Sequence, residues 1–374
     1  MTKYRKKILQ VNIDNNGGNG AFTLIRYLYS FLRDEFEFDY YTMGTFVNNS
    51  VYQDIIKDGG ICQSANLRRN KLIGHIELPF KFFMFLKSRQ YEVVHIHSEM
   101  AYKQFLYAIA AKSAGIKKII IHSHSSDIDG NNKKIKFIAH KIFRFFVNKL
   151  GTDFLACSKP AAEWMFNEKI LKGTHFNILH NGINPYKYKY SEETRNRVRE
   201  ELNLQNKTVI GHVGALKKVK NQSYLLNIIS KMNLQNYELI LVGDGDDRKI
   251  LEKKAKELKC ENNVLFLGNR TDVNRILMAI DIFVFPSLFE GIPLSLIEAQ
   301  AVGVPIVASN QINHEIKVNK NVYFLPIEEK NINGWCEYIE KMKEQHIKME
   351  GYKNISDSLF NIKKSADYLR NIYK

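Results

Sequence analysis

Short hydrophobic runs recur along the chain, and each ends near Gly, Asn, Ser or Pro before the next polar segment. In the first half these runs are KKILQVNI, FDYYTMG, EVVHIHS, KKIIIHSHSS, TDFLACS and FNILHNGIN. Apolar runs of this length are typical of strands that are buried on both faces, as in a parallel sheet. Segments with helical spacing separate them, so the pattern predicts a doubly wound α/β domain.

The pattern begins again after residue 184. A polar connection and a charged helical segment lead into a second set of runs, which are TVIGHVGAL, YELILVGDG, VLFLGN, IDIFVFPS and VPIVAS. We therefore predict two Rossmann-like domains, 1–184 and 185–356, with a helical segment at 357–374 that packs back on the first. Open sheets of this kind bind ligands beside the carboxyl ends of their strands, so we expect a ligand in a cleft between the domains.

Length and composition limit the class of protein. A chain of 374 residues with 45% hydrophobic and 25% charged residues is too long for one ordinary core. No stretch approaches the roughly 18 uncharged apolar residues of a membrane span, and the basic N-terminus lacks a signal-peptide pattern. The four cysteines lie far apart, which favours a reducing compartment over a disulfide framework or a zinc site. We expect a cytoplasmic protein, with a peripheral location on the inner face of the cell membrane as a further expectation.

The net charge of +16 is unevenly distributed. Residues 1–190 hold 28 Lys and Arg against 15 Asp and Glu, whereas residues 191–374 hold 27 against 24. The excess suggests an anionic partner of the first half, namely nucleic acid, an acidic membrane or a phosphorylated substrate, unless the charges only cover a solvated surface. No zinc-finger, RNP or helix-turn-helix signature is present, so we expect no nucleic acid partner.

Two stretches of the first half, 78–89 and 133–150, combine aromatic residues with Lys and Arg at helical spacing. They are either ordinary helices that pack on the core or surfaces that lie on an anionic membrane. The basic excess of the first half favours the membrane interpretation.

Glu290 and Glu298 stand eight positions apart in EGIPLSLIE, with a Gly-x-Pro turn between them. If Pro293 is the first residue of a helix, Glu290 lies just outside that helix and Glu298 more than one turn inside. The backbone N–H groups of Leu294 and Ser295 would then form an anion site at the positive end of the helix dipole. This layout suits a ligand with a central diphosphate and a hydroxylated ring at each end, and solvated charges on a helix are the alternative.

The spacing of the two carboxylates resembles the E-x7-E motif of the family 4 glycosyltransferases, which are retaining enzymes with the GT-B fold. The resemblance covers nearly the whole chain and has the character of bacterial capsule and exopolysaccharide transferases. Other matching segments are IGHVGALKKVKNQSYLL, ELILVGDGDDRKILE, VLFLGNRTDVNRIL, LHNGIN, GGNG and IIIHSHSS. The implied architecture is an acceptor-binding first domain and a nucleotide-sugar-binding second domain.

The resemblance also implies a role for each matching residue. Glu298 would bind the ribose hydroxyls of a nucleotide sugar, and Lys220 would hold its diphosphate. Glu290 would contact the transferred sugar, and His124 would face that sugar near its reacting carbon. His124, Lys220 and Glu290 form the expected catalytic set. The other expected donor contacts are Gly17, Gly18, Gly214, Lys217, Gly243, Arg270, Gly291, Leu294 and Ser295.

The chain departs from the family pattern at Ala215, where these enzymes usually have an arginine. That arginine and the lysine together offset the charge of the leaving phosphate. We therefore expect Lys217 or Lys218 to compensate, although a lysine lacks the bidentate geometry of a guanidinium.

Four histidines raise the question of a metal, because His-x-His pairs on a strand share one face and can ligate zinc. They are His95, His97, His122 and His124. No carboxylate or cysteine stands at ligand spacing with them, and DGDD (244–247) and DID (127–129) match a pattern typical of a different transferase fold. We expect no metal and no cofactor, since the nucleotide sugar is a substrate.

The expected function is the transfer of a sugar from a nucleotide donor, expected to be UDP-linked, to a lipid-linked or growing saccharide. Retention of the anomeric configuration is implied by the resemblance. No carboxylate is evident as a covalent nucleophile, so front-face displacement is expected, with the leaving diphosphate taking the acceptor proton. A UDP-sugar epimerase of the same two-domain fold is the alternative.

Overall fold

A computed structural model describes residues 4–15, 20–68, 71–124, 133–290 and 292–374. The chain forms two compact units. One consists of Met1–Asn181 together with Ile362–Lys374, and the other of Gly182–Asn361.

The first unit is built around one parallel sheet. Its strands in the described residues are β1 (Lys6–Val11), β2 (Phe36–Thr42), β3 (Cys62–Ser64), β4 (Val93–Ser98), β5 (Lys118–Ser123), β6 (Asp153–Ala156) and β7 (Phe176–Ile178). They lie side by side in the order β3-β2-β1-β4-β5-β6-β7. Each neighbouring pair is parallel.

Helices cover both faces of this sheet. They are α1 (Gly20–Leu32), α2 (Ser50–Lys57), α3 (Lys71–Lys87), α4 (Ala101–Ser113), α5 (Lys133–Leu150), α6 (Lys159–Met165), α7 (Glu168–Leu171) and α15 (Ile362–Tyr373). Successive side chains of a strand point to opposite faces. Ile8 of β1 therefore packs in a core with α1 and α15, whereas Leu9 packs in a second core with α3 and α4.

The second unit repeats the architecture. Its described strands are β8 (Thr208–Val213), β9 (Tyr237–Val242), β10 (Val264–Gly268), β11 (Ile282–Phe285), β12 (Ile306–Ser309) and β13 (Val322–Leu325), all parallel, in the order β10-β9-β8-β11-β12-β13. Its helices are α8 (Glu192–Glu201), α9 (Gln222–Ile229), α10 (Arg248–Glu257), α11 (Val273–Ala279), α12 (Leu294–Val302), α13 (Ile332–Met342) and α14 (Lys348–Asp357). The prediction of two doubly wound parallel sheets is confirmed.

Two details differ from the sequence-based expectation. The helical segment expected at 357–374 begins at Ile362, because the chain turns extended at Ser358, whose hydroxyl accepts a hydrogen bond from the N–H of Phe360 at 3.1 Å. The strands β3 and β13 were not predicted. Both are short edge strands whose side chains are largely only half-buried, so they lack the continuous apolar run of a central strand.

The two aromatic and basic stretches both lie in helices, since 78–89 falls mostly within α3 and 133–150 coincides with α5. Among the helices of the described residues, none combines the length and the apolar character needed to cross a membrane.

Candidate active site

The crevice in the second unit lies where its strand order reverses. From β8 the chain winds outward to β9 and β10, and it then returns to form β11 on the other side of β8. The loops that follow β8 and β11 touch, since the N–H of Leu288 donates to the carbonyl of Val219 at 2.8 Å and the Asn221 amide donates to the carbonyl of Pro286 at 3.2 Å. Such a switch point is where open α/β sheets bind ligands.

These two loops bring Lys220 and Glu290 together as an ion pair. The two side chains are 20% and 16% exposed, respectively, so the pair is largely shielded from water. The Lys220 ammonium lies 5.5 Å from the centre of the Phe285 ring. Its methylene groups pass Gly214, where an added Cβ would lie 3.6 Å from the Lys220 Cε. Two residues of the expected catalytic set therefore meet in this crevice.

Gly243 has a structural reason to be glycine. Its φ is +129°, and an added Cβ would overlap the carbonyl oxygen of Gly214. Only a glycine tolerates that conformation and that approach. The loops after β8 and β9 consequently lie against each other.

The helix α12 begins one residue later than the sequence suggested. Pro293 is the N-cap, with φ −72° and ψ 115°, and Leu294 is the first helical residue. The expectation of Pro293 at the first helical position is therefore wrong, because its extended ψ lies outside the helical range. No side chain caps this helix, so within the described residues the N–H groups of Leu294 and Ser295 have no hydrogen-bond acceptor and are available to an anion. Gly291 lies outside the described residues.

Glu298 lies in the second turn of α12 and accepts a hydrogen bond from the hydroxyl of Tyr188 at 2.6 Å. Burial raises the pKa of this carboxyl, and the Tyr188 bond opposes that shift. Tyr188 is itself buried and belongs to a short turn, Pro185–Tyr188, at the start of the second unit. Tyr188 was not identifiable from the sequence, because its contact with Glu298 spans 110 residues.

The other charged residues of this unit that were expected to contact the donor, Arg270 and Lys217, are exposed to solvent. Arg270 is exposed and binds both carboxylate oxygens of Asp272, at 2.8 and 2.9 Å. Lys217 and Lys218 are exposed, as is Ala215. Among the described lysines of this loop, Lys220 is the one that pairs with a carboxylate.

His124 lies in the first unit, directly after β5. It is half-buried and lines a cavity of about 330 Å³ at the carboxyl ends of β1, β4 and β5. The polar residues around this cavity are Asn12, Asp14, Thr42, His97, Ser98, Glu99, Lys103 and His124. Asp14, Glu99 and Lys103 were not selected from the sequence, since single charged residues in loops carry no motif. Gly17 and Gly18 lie outside the described residues.

The other histidines of the two His-x-His pairs are buried beside His124. His97 Nδ1 is 2.9 Å from His124 Nε2, and His95 Nε2 is 3.2 Å from His122 Nδ1. Burial lowers the pKa of His124 to about 4 and the pKa values of the other three well below their usual range. Ring nitrogens of His95, His97 and His122 lie within 4.8 Å of one another, a donor set that suits a transition metal. The expectation of no metal remains a prediction.

Comparison with known families decides the class. A family model described as Glycosyltransferase Family 4 matches residues 18–187, and one described as Glycosyl transferases group 1 matches residues 194–357. Both matched regions belong to models of glycosyltransferases, and the chain is a glycosyltransferase. It is therefore an enzyme, and the two matched regions correspond to its two units.

Named relatives of this glycosyltransferase extend over most of its length. It is 26% identical to the putative glycosyltransferase EpsF of Bacillus subtilis (strain 168) over 354 residues, 91% of this chain and 88% of the relative. It is 26% identical to a UDP-Gal:alpha-D-GlcNAc-diphosphoundecaprenol alpha-1,3-galactosyltransferase of Escherichia coli over 315 residues, 82% of this chain and 81% of the relative. The capsular polysaccharide biosynthesis glycosyltransferase CapH of Staphylococcus aureus is 26% identical, over 80% of this chain and 82% of CapH.

Solved structures show the fold. Anabaena Alr3699/HepE in complex with UDP superposes with a TM-score of 0.78 at 18% identity, over 98% of both chains. WaaG, a glycosyltransferase involved in lipopolysaccharide biosynthesis, superposes with a TM-score of 0.68 at 15% identity, over 96% of this chain and 99% of WaaG. The glycosyltransferase has the GT-B fold.

Proposed function

We propose that this glycosyltransferase moves a sugar from a UDP-sugar to a lipid-linked or growing saccharide in cell-surface polysaccharide biosynthesis, with retention of the anomeric configuration. The observation that carries the proposal is the shielded Lys220–Glu290 ion pair in the crevice between β8 and β11. A cation held against a sugar-facing carboxylate, beside an uncapped helix N-terminus, suits the diphosphate of a nucleotide sugar.

In this proposal the ion pair holds the site ready for the donor. The donor diphosphate takes the Lys220 ammonium and the N–H groups of Leu294 and Ser295. Glu290 then loses its cation and becomes an acceptor for hydroxyl groups of the transferred sugar. Glu298, oriented by Tyr188, accepts hydrogen bonds from the ribose.

The reaction is proposed to be a front-face displacement. The bond between the anomeric carbon and the diphosphate oxygen breaks, and the acceptor hydroxyl oxygen forms the new bond on the same face. The acceptor proton moves to the leaving diphosphate. Lys220 and the N-terminus of α12 stabilise the negative charge that develops there. Electrostatic stabilisation of this kind is usually the largest single contribution to the rate enhancement.

The acceptor is proposed to approach the first unit, where Asp14, Glu99 and Lys103 surround the cavity that His124 lines. These side chains suit hydroxyl groups and a phosphate. The printed name of the Escherichia coli relative describes an undecaprenol-linked acceptor, which supports a lipid-linked saccharide as the acceptor class here.

A lipid-linked acceptor requires access to a membrane, and α5 has a face that fits one. Exposed apolar side chains recur along it at helical spacing, namely Ile135, Ile138, Ile142 and Phe145, which are 54–70% exposed. Lysines flank the stripe: Lys141 lies 4.6 Å from the centre of the Phe137 ring and Lys149 lies 4.1 Å from that of Phe145. A basic amphipathic helix of this kind binds in the interface of an anionic bilayer.

The helix α3 of the same unit has a similar stripe, in which Ile76, Phe80 and Met84 are exposed. We propose that both stripes lie on an anionic membrane surface, so that the enzyme is peripheral at the inner face of the cell membrane.

The donor proposal is tested with the purified full-length enzyme by calorimetric titration of UDP, GDP, ADP and TDP and their common sugar conjugates. We expect binding of UDP and of one or a few UDP-sugars. Subsequent incubation with extracted lipid-linked saccharides and NMR of the product should show a retained anomeric centre. Preference for another nucleotide would overturn the assigned donor, and an inverted product would overturn the mechanism.

The alternative of a UDP-sugar epimerase gains no support from the site or from the relatives named above. It predicts an epimerised nucleotide sugar in the absence of any acceptor, which NMR of the enzyme incubated with the UDP-sugar alone would detect.

A further inference from the structure

The buried histidines of β4 and β5 form a continuous hydrogen-bonded network that ends at His124. The side chains of the network lie on the face of the first sheet against which α15 packs. His95 and His97 share that face, as do His122 and His124, because side chains two residues apart along a strand point the same way. Gln10 and Tyr373 complete the network from those two elements. Gln10, His95, His97 and His122 are at most 1% exposed, so every ring proton must be placed on a protein partner or left unpaired.

The Gln10 amide fixes the direction of one branch. Its oxygen accepts from His97 Nε2–H at 2.9 Å. A neutral imidazole protonated at Nε2 has an unprotonated Nδ1. His97 Nδ1 therefore accepts from His124 Nε2–H at 2.9 Å, and His124 is left with an unprotonated Nδ1.

The same amide fixes the other branch through Tyr373. Gln10 Nε2–H donates to the Tyr373 hydroxyl oxygen at 3.1 Å, and that hydroxyl donates to His95 Nδ1 at 2.7 Å. His95 then carries its proton on Nε2 and donates to His122 Nδ1 at 3.2 Å. His122 Nε2 is buried and has no partner in the described residues.

All four rings consequently carry their proton on Nε2. Turning the Gln10 amide over would reverse every bond and move all four protons to Nδ1. An arrangement with some rings in each form places two protons, or none, in at least one of these contacts, or leaves the Tyr373 hydroxyl proton without an acceptor in the network.

We propose that the four histidines form one coupled set, called here the histidine ladder. Gln10 and Tyr373 determine the tautomer that all four share. In the ladder, Tyr373 is a positioning residue for His124, although the two side chains do not touch. The ladder makes His124 Nδ1 an acceptor at the cavity wall, which selects a ligand hydroxyl and disfavours an anion at that point. That this hydroxyl belongs to the transferred sugar rests on the proposed function and on the role that the family resemblance implies for His124, whereas the ladder itself does not.

The ladder is tested by NMR on the full-length enzyme with ¹⁵N-labelled histidine at pH 7.5, because long-range ¹H–¹⁵N correlations distinguish a protonated ring nitrogen from an unprotonated one. Single histidine replacements assign the signals. We expect all four histidines in the Nε2–H form. Different tautomers among the four, or spectra that change when a chelator removes a bound metal ion, would overturn the ladder.

Two variants test the coupling. Tyr373→Phe removes the hydroxyl that links the Gln10 amide to His95, so the amide can turn over independently of His95 and His122, and His97 and His124 should populate both tautomers. Gln10→Glu supplies two acceptors, so the Tyr373 hydroxyl should turn away from His95. His95 and His122 should then move to the Nδ1–H form while His97 and His124 keep theirs. An unchanged His124 tautomer in Tyr373→Phe, or unchanged His95 and His122 in Gln10→Glu, would overturn the coupling.

Tyr368→Phe is the matched control, since it removes a half-buried hydroxyl from the same helix outside the ladder. It should leave all four tautomers unchanged. Addition of the UDP-sugar to the wild-type enzyme separates the two levels of inference. A shift of His124 Nδ1 supports the donor contact, whereas an intact ladder with no such shift removes His124 from the donor site and leaves the ladder in place.

Discussion

At the scale of the residue, Glu298 depends on Tyr188 for its orientation. We expect Glu298→Ala to raise the Kd for UDP by about 100-fold, because two hydrogen bonds between a carboxylate and ribose contribute about 3 kcal/mol. Tyr188→Phe removes one bond to that carboxylate and should raise the Kd about tenfold. Calorimetric titration of each variant with UDP measures both effects.

Tyr190→Phe is the control for this pair. It removes a hydroxyl that donates to an exposed carboxylate, that of Glu192, at 2.8 Å. Its affinity for UDP should equal that of the wild type. If Glu298→Ala also binds UDP normally, Glu298 does not hold the ribose.

Lys220 is proposed to stabilise the charge of the leaving diphosphate. We expect Lys220→Ala to lower kcat by about 10²–10³, the usual effect of removing one group that stabilises a developing oxyanion. Lys218→Ala, in the same turn but with an exposed side chain, should retain nearly full activity. Steady-state kinetics with the donor found by the screen compares the two. A larger loss in Lys218→Ala would assign the phosphate to the exposed lysine instead.

At the scale of the element, periodicity predicts the helix α5 but does not say whether its apolar stripe is buried or exposed. The spacing of Ile135, Ile138 and Ile142 is equally compatible with a core-facing stripe and a solvent-facing one. The packing decided between them, because these side chains remain more than half exposed. Edge strands and helix starts were harder to predict. The extended ψ of Pro293 depends on the loop that precedes it, which no local pattern specifies.

The exposed stripe of α5 leads to a prediction about vesicles. Ile138→Asp places a negative charge in the middle of the stripe, so recovery of the protein with anionic vesicles should fall several-fold in sedimentation assays. Ile250→Asp is the matched control, because Ile250 is 65% exposed on α10 of the other unit, close to the 60% of Ile138. It should sediment like the wild type. Equal recovery of wild-type protein with neutral and anionic vesicles at low salt would refute the membrane surface.

At the scale of the whole molecule, the two parallel sheets were predictable because most of their strands are buried on both faces and read as continuous apolar runs. Lys220 and Glu290 were predictable as members of motifs, although their contact spans 70 residues and came only from the structure. Tyr188, Gln10 and Tyr373 were not predictable. Each acts through a partner that is distant in sequence, and a single tyrosine or glutamine carries no signal of such a contact.

Buried neutral histidines make the stability of the two units respond differently to pH. The first unit contains His95, His97, His122 and His124, all with lowered pKa, whereas the second contains His212 and His346, each with a pKa of about 4. Each such histidine is neutral in the folded state and binds a proton in the unfolded state below a pH of about 6.5. The stability that these histidines contribute is therefore fully present above a pH of about 6.5 and is lost as the pH falls from about 6.5 towards 4. For His124 the loss is about 2 kcal/mol at pH 5.

We therefore expect acidification from pH 7 to pH 5 to lower the melting temperature of the first unit more than that of the second. Scanning calorimetry of the full-length enzyme measures both, and added UDP identifies the second unit as the transition that it raises. Between pH 7 and pH 8 the histidines are neutral in both states, so that interval serves as the control and should show little change from this source. A larger loss in the transition that UDP raises would mean that the histidines of the first unit do not stay neutral on folding, which would also remove the basis for a single ladder tautomer.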